Sequence, residues 1–128
     1  MIYTETTEGF LVEVEPNYVP EHSLPDEDHF FFSYRVRIKN IGDKKAQLTS
    51  RHWVIMDGLQ RREDVEGDGV VGEQPFFDAG TTYEYTSFCP LPTPTGNMRG
   101  SYLMKDEGGK TFKIKVPVFF LRDYQHSN

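Results

Sequence analysis

Residues 65 to 75 read V-E-G-D-G-V-V-G-E-Q-P and place Gly67, Gly69 and Gly72 at G-x-G-x-x-G spacing. Between a strand and a helix, that spacing holds the pyrophosphate of a dinucleotide, because the helix's unpaired N–H groups and dipole meet the charge. The context here is different. Pro75 donates no backbone hydrogen bond, and Gly80 disfavours a helix interior, so no helix of useful length fits behind the glycines. Glu63, Asp64, Glu66, Asp68 and Glu73 crowd the same stretch and would repel phosphate. The stretch reads as a shaped connection between strands, with glycine where φ is positive or backbones approach closely.

Three chemistries can be written on these residues. A protein-contact surface would be formed by Gly67, Gly69, Gly72, Glu73, Gln74 and Pro75, with Arg51 and Trp53 as neighbours or support. A pyrophosphate site would need Arg51, Arg61 or Arg62 to face the glycines. A divalent cation would need at least three of the five acids to converge, and they lack the D-x-D-x-D-G pattern of a calcium loop. A purely structural reading puts the glycines in tight turns, Gln74 and Arg51 in internal hydrogen bonds, and Trp53 in the core.

Nothing else assembles a reaction centre. His22, His29, His52 and His126 show no metal-ligand spacing. Cys89 lacks a nucleophile signature and reads as a partly buried structural thiol. No serine lies in a G-x-S-x-G elbow. The expectation is a protein without catalysis, cofactor or metal.

The elements that must position these residues are strands. Phe30, Phe32, Tyr34, Val36 and Ile38 alternate with Phe31, Ser33, Arg35, Arg37 and Lys39, giving one buried and one wet, basic face. Gly9 to Val14 offers a first strand with Phe10, Val12 and Val14 on one side. A polar, proline-punctuated loop through Pro16, Pro20 and Pro25 follows it. In Ala46 to Met56, Ala46 and Leu48 fall on one parity and Trp53 and Ile55 on the other, which predicts a β-bulge near Ser50 to His52. Asp57-Gly58 turns into a short charged strand over Leu59 to Val65. Thr81 to Phe88 reads as a strand, residues 90–96 as a rigid proline loop, and Asn97 to Met104 as another strand. A hairpin turn at Glu107-Gly108-Gly109 leads to a last strand, Thr111 to Leu121. There Phe112, Ile114, Val116, Val118 and Phe120 share a face, and Pro117 demands an edge or a bulge. Seven or eight short strands and no helical period predict an all-β, antiparallel two-sheet sandwich with Trp53 in its core. The tail after Leu121 reads as frayed.

The 128 residues suit a single domain, 1–128, with its own core. A formal net charge of −6 and a pI near 5.1 argue against nucleic acid as a partner. No apolar run is long enough for a membrane helix, and the N-terminus lacks the basic region of a signal peptide. A single cysteine excludes an internal disulfide and fits a reducing cytoplasm.

Longer patterns go further. S-R-H-W-V-I at residues 50–55, G-D-G-V-V-G-E-Q-P at 67–75, Y-E-Y-T-S at 83–87 and L-P-T-P-T-G-N-M-R-G-S-Y at 91–102 resemble the ApaG family, as does the last strand with Pro117 and Phe119. The resemblance runs from about Ile2 to Leu121. Ala79 stands where the family usually has proline, and Phe88 where it commonly has a small residue. The resemblance implies an immunoglobulin-like or fibronectin type III-like sandwich. In eukaryotic relatives that end F-box proteins or a DNA polymerase delta-interacting protein, it implies protein binding. It also carries a loose association with cobalt and magnesium handling, and a gene neighbourhood shared with a diadenosine tetraphosphate hydrolase. It implies no catalytic residue. The expected function is a non-catalytic module that binds a protein partner, as a monomer or weak homodimer.

Overall fold

A computed structural model of the chain describes residues 1–123. Nine strands follow one another: β1 Tyr3–Thr7, β2 Phe10–Tyr18, β3 Phe30–Asn40, β4 Ala46–Asp57, β5 Arg62–Asp68, β6 Phe76–Phe77, β7 Thr82–Leu91, β8 Thr95–Asp106 and β9 Thr111–Arg122. All pairings are antiparallel. One sheet has the order β1-β2-β3-β7, the other β5-β4-β8-β9, with β6 also on β4. The expected immunoglobulin-like or fibronectin type III-like sandwich is the architecture found, with more strands than the seven or eight read from sequence.

The alternation in β3 does what its period dictates: Phe30, Phe32, Tyr34, Val36 and Ile38 are buried, while Arg35, Arg37 and Lys39 are exposed. The basic stripe is not open. Arg35 meets Glu15 at 2.7 Å and Glu84 at 3.6 Å, and Arg37 meets Glu84 at 3.2 Å. Such exposed pairs contribute at most about 1 kcal/mol each, so they set surface charge rather than hold the fold.

Two bulges set the rest. In β4, Leu48 faces Met104 and Ser50 faces Leu103, so Thr49 is the extra residue, just before the expected Ser50 to His52. The bulge puts both Leu48 and Trp53 into the core. Trp53 is 3% exposed and packs against Tyr34, Phe119 and Tyr102 at centroid distances of 5.5, 5.9 and 6.1 Å. In β9, Met98 faces Phe119 while Gly100 faces Val116, leaving one extra residue beside Pro117. This corrects the face assigned to the last strand. Ile114 and Val116 are buried as expected, but after the bulge Phe119 and Leu121 turn inward and Val118 and Phe120 are exposed. β9 is also a sheet edge, so both options that Pro117 left open are realised.

Other boundaries move. β1 was not visible in a stretch as polar as Y-T-E-T-T. It is half-buried because it lies across β9, where Thr7 Oγ1 accepts the Lys115 N–H. The first predicted strand continues to Tyr18, and two short 3₁₀ turns, Pro20–His22 and Pro25–Glu27, occupy the proline loop. β5 starts at Arg62, not Leu59, and runs on through Gly67 to Asp68. β7 continues through Pro90 to Leu91, which shortens the expected proline loop. Asp123 is still ordered, its N–H donating to Pro94 O; the expected frayed tail beyond it lies outside the described residues.

A glycine turn anchored on the bulge

The glycine stretch is built on Thr49. A bulged residue leaves its carbonyl out of the ladder, and Thr49 O accepts the Gly69 N–H and the Gln74 side-chain Nε2–H, both at 2.8 Å. Arg51 Nη1 donates to Asp68 O at 2.9 Å and Gly69 O at 3.0 Å. Beyond Gly69 the chain closes a miniature hairpin: Val70 N–H donates to Glu73 O and Glu73 N–H to Val70 O. Its two central residues, Val71 and Gly72, have φ of +48° and +80°, the signature of a type I′ turn. Gln47 Nε2 donates to Gln74 O, and Leu48 N–H to Pro75 O. Tyr83 Oη donates to Glu73 Oε2 at 3.0 Å, and burial, then the Glu73 carboxylate, raises the Tyr83 pKa.

Space forces Gly69 against backbone, and the bonded Arg51 guanidinium crowds Gly67. A Cβ on Gly69 would lie 2.2 Å from Glu73 O, and one on Gly67 would lie 2.8 Å from Arg51 Nη1. Gly72 has open space around it, and its left-handed φ is the requirement there. The amides of Gly69, Val70 and Glu73 are thus already paired, and the Asp68 and Gly69 carbonyls converge on Arg51. A phosphate cradle has the opposite polarity, with N–H groups pointing at the ligand.

The condition set for a pyrophosphate site is met by one arginine of three. Arg51 faces Gly67, whereas Arg61 is held by Asp57 and Arg62 by Asp64, each at 2.7 Å. The condition for a cation is not met among the described residues, where no three His, Cys, Asp or Glu side chains gather as ligands. Asp64 is engaged by Arg62 and by His52 Nε2 at 2.9 Å, and those hydrogen bonds hold its carboxyl far below the usual range. Of the other proposed residues, Trp53 is in the core, and Gln74 and Arg51 serve the loop through the bonds above.

Two surfaces escaped the sequence reading. On one side of the sandwich β1 and β9 close the sheets together; on the other, β5 and β7 stand apart. Between them opens a cleft of about 310 Å³, with Tyr34, Trp53, Cys89 and Met98 in its depth and Glu63 and Val65 at its lip. Burial, then the Glu63 charge, pushes the Cys89 thiol up to about 12. Behind the cleft the hydroxyls of Tyr85 and Tyr102 share a hydrogen bond, and burial raises both pKa values. The second surface is aromatic. Phe31 and Phe88 stack on the outer face at 5.4 Å, with His22 and His29 against Phe31 at 5.5 and 6.2 Å. The signal for it was present: both phenylalanines occupy wet-face positions of their strands.

This architecture, with a bulge-anchored glycine turn, defines a β-sandwich of the ApaG-domain class, and an ApaG domain profile matches residues 20–106. The chain belongs to the ApaG family. It is 50% identical to Protein ApaG of Paramagnetospirillum magneticum over 120 residues, covering 94% of this chain and 92% of that one. It is 51% identical over 110 residues to Protein ApaG of Bordetella pertussis, covering 86% of this chain and 84% of that one. A crystal structure described as that of an ApaA protein from Bordetella pertussis superposes with a TM-score of 0.87 at 48% identity, covering 91% of this chain and 94% of that one.

Proposed function

We propose that the chain is a non-catalytic binding module whose ligand is another protein. The observation that supports this reading is Val71. A β-branched residue in the left-handed region is strained by roughly 1–3 kcal/mol. Here it sits at the tip of a tightly buttressed turn with 62% of its surface exposed. Such strain persists only where the surrounding structure over-determines it, as this turn does, and it clusters at sites of contact. An asparagine would fit the same turn without strain, so the apolar side chain is displayed at some loss of stability. His52, the one histidine beside the glycine turn, bonds to a carboxylate and to no hydroxyl or thiol among the described residues, which fits a site without a nucleophile.

The experiment is Val71→Asn. The substitution raises stability by about 1 kcal/mol in urea unfolding, because the strain is relieved. It also weakens retention of a protein that immobilised wild type holds from an extract of the source cells. Equal retention by the two would remove the tip from the interface. Wild type retaining nothing above a denatured control would remove the module reading itself.

A small-ligand reading has one observation in its favour, the orientation of Arg51 toward Gly67. The committed loop amides and the surrounding acids weigh against it. Amide shifts confined to Glu66–Pro75 on adding a dinucleoside polyphosphate, with or without magnesium, would establish it instead. We place the family's association with cobalt and magnesium downstream of partner binding.

A further inference from the structure

Edge strands are open templates for pairing, and proteins guard them with charge, proline, bulges or cover. Three of the outer strands here are guarded. β5 carries Arg62, Glu63, Asp64, Glu66 and Asp68; β9 has Lys113, Lys115, Pro117 and its bulge; β1 is short and crosses β9. β7 is the exception. It is ten residues long, its one charged residue is Glu84, which Arg35 and Arg37 neutralise, and its one proline is Pro90, near the end.

The direction of its amides follows from the ladder. Asn40 N–H donates to Thr81 O, and β3 and β7 then keep a constant register from Lys39↔Thr82 to Phe30↔Leu91. In an antiparallel pair, hydrogen-bonded and non-hydrogen-bonded positions alternate. Tyr83, Tyr85, Ser87 and Cys89 therefore bond to β3, and Thr82, Glu84, Thr86 and Phe88 turn their N–H and C=O groups outward. Pro90 falls on the outward parity, where its missing N–H costs the sheet nothing. The open edge runs from Thr82 to Phe88, about 20 Å at the usual antiparallel rise.

A strand laid on this edge would alternate its side chains between two apolar surfaces. Those opposite Thr86 and Phe88 would lie on the outer face beside Phe88, which is 57% exposed and stacked on Phe31. Those opposite Ser87 and Cys89 would reach the cleft between β5 and β7. We propose that β7 accepts an extended segment of another protein as an added strand, apolar on both faces near Phe88 and Cys89 and basic where it passes β5. This rests on the binding-module reading and supplies its surface and partner class. Charge selects the occupant. Of the β5 acids, Glu63 stands at the lip of the cleft, and Asp64, Glu66 and Asp68 lie on the other face of the sheet around His52. Arg51, which also lines the cleft, is held by the Asp68 and Gly69 carbonyls. Two copies joined edge to edge would bring together two chains of formal net charge −6, with Glu63 at each lip, whereas a basic segment meets that charge favourably.

The test uses a phage-displayed library of random dodecapeptides panned on the intact protein, followed by synthesis of the enriched peptide. The expected peptide combines a short continuous apolar run, which serves both faces, with lysine or arginine, and its affinity falls with added salt. Its binding shifts the amides from Thr82 to Phe88 and the Trp53 indole, and it slows hydrogen exchange at Thr86 and Phe88. Thr86→Pro removes only an outward N–H and should weaken the peptide at least tenfold while the protein stays folded. N-methylation at alternate backbone positions of the peptide should abolish binding on one parity and spare the other, a result that does not depend on how Thr86→Pro folds. Shifts confined to Glu66–Pro75 and unaffected by Thr86→Pro would overturn the edge and leave the module reading intact. No peptide above a blank surface would overturn both. A dimer that Thr86→Pro dissociates would assign the edge to a second copy and overturn the partner class.

Discussion

Gly69 is the position where the glycine motif is least replaceable. A Cβ there would overlap Glu73 O at 2.2 Å, and φ is +60°. Both partners are backbone, so neither can swing aside. Gly69→Ala should destabilise by roughly 2–4 kcal/mol, seen as a lower urea midpoint. A Gly69 variant therefore tests the turn's folding, and Val71, whose side chain has room, tests its contacts. Cys89 makes a second residue-scale prediction. A thiol pushed up to about 12 by burial is almost wholly protonated at pH 8. It holds roughly a thousandth of the thiolate of a free cysteine, so its reaction with a disulfide reagent should be slower by a similar factor until the protein is unfolded. Reaction at the free-cysteine rate would mean that the cleft opens readily to solvent.

The connections are as determined as the strands. Between β4 and β5 the chain turns on Asp57, whose Oδ1 accepts the Leu59 and Arg61 N–H groups and whose Oδ2 accepts Arg61 Nε. Desolvation opposes ionisation of this carboxyl, but the hydrogen bonds outweigh it and its pKa is lowered. The sign follows. A carboxylate with a lower pKa in the folded state stabilises the fold above its unfolded pKa, near pH 4, and loses that contribution as pH falls through the folded value. Asp57→Asn should therefore be less stable than wild type at pH 7, with the gap in urea midpoint closing below pH 4. A constant gap down to pH 2 would mean that the charge plays no part. The β4 bulge shows the same economy at this scale. One extra residue, Thr49, places Trp53 inward and leaves the carbonyl that anchors the glycine turn.

At the scale of the whole molecule the two sheets meet on Trp53. Removing an aromatic side chain from a site that is 3% exposed leaves a void that the surrounding rings cannot fill. Trp53→Ala should destabilise by about 3–5 kcal/mol. As the only tryptophan, Trp53 also reports directly on the inter-sheet core. Its fluorescence and the far-UV circular dichroism should unfold in one coincident transition. Separate transitions would show the sheets coming apart before they melt.

What was legible in the sequence was whatever local chemistry fixes. The period of two in β3, the phase change in β4, and the turns at Asp57-Gly58 and Glu107-Gly108-Gly109 each depend on neighbours within a few residues. Even the structural roles of Gln74 and Arg51 could be written down in advance, because a glycine-rich turn needs side chains to hold it. The tertiary structure decided what depends on residues far apart. β1 is a strand because it pairs with β2 across the Glu8-Gly9 turn and packs on β9, not because its sequence shows an apolar alternation. The inward face of β9 beyond Pro117 was set by a bulge against β8, which sequence parity could not register. The cleft exists because β5 and β7 fall on the same open side of two different sheets, and that relation between edges appears only when the sheets are stacked. Arg51 reaches Gly67 across the β4–β5 ladder, so the one arginine that faces the motif was picked by pairing rather than by proximity in the chain.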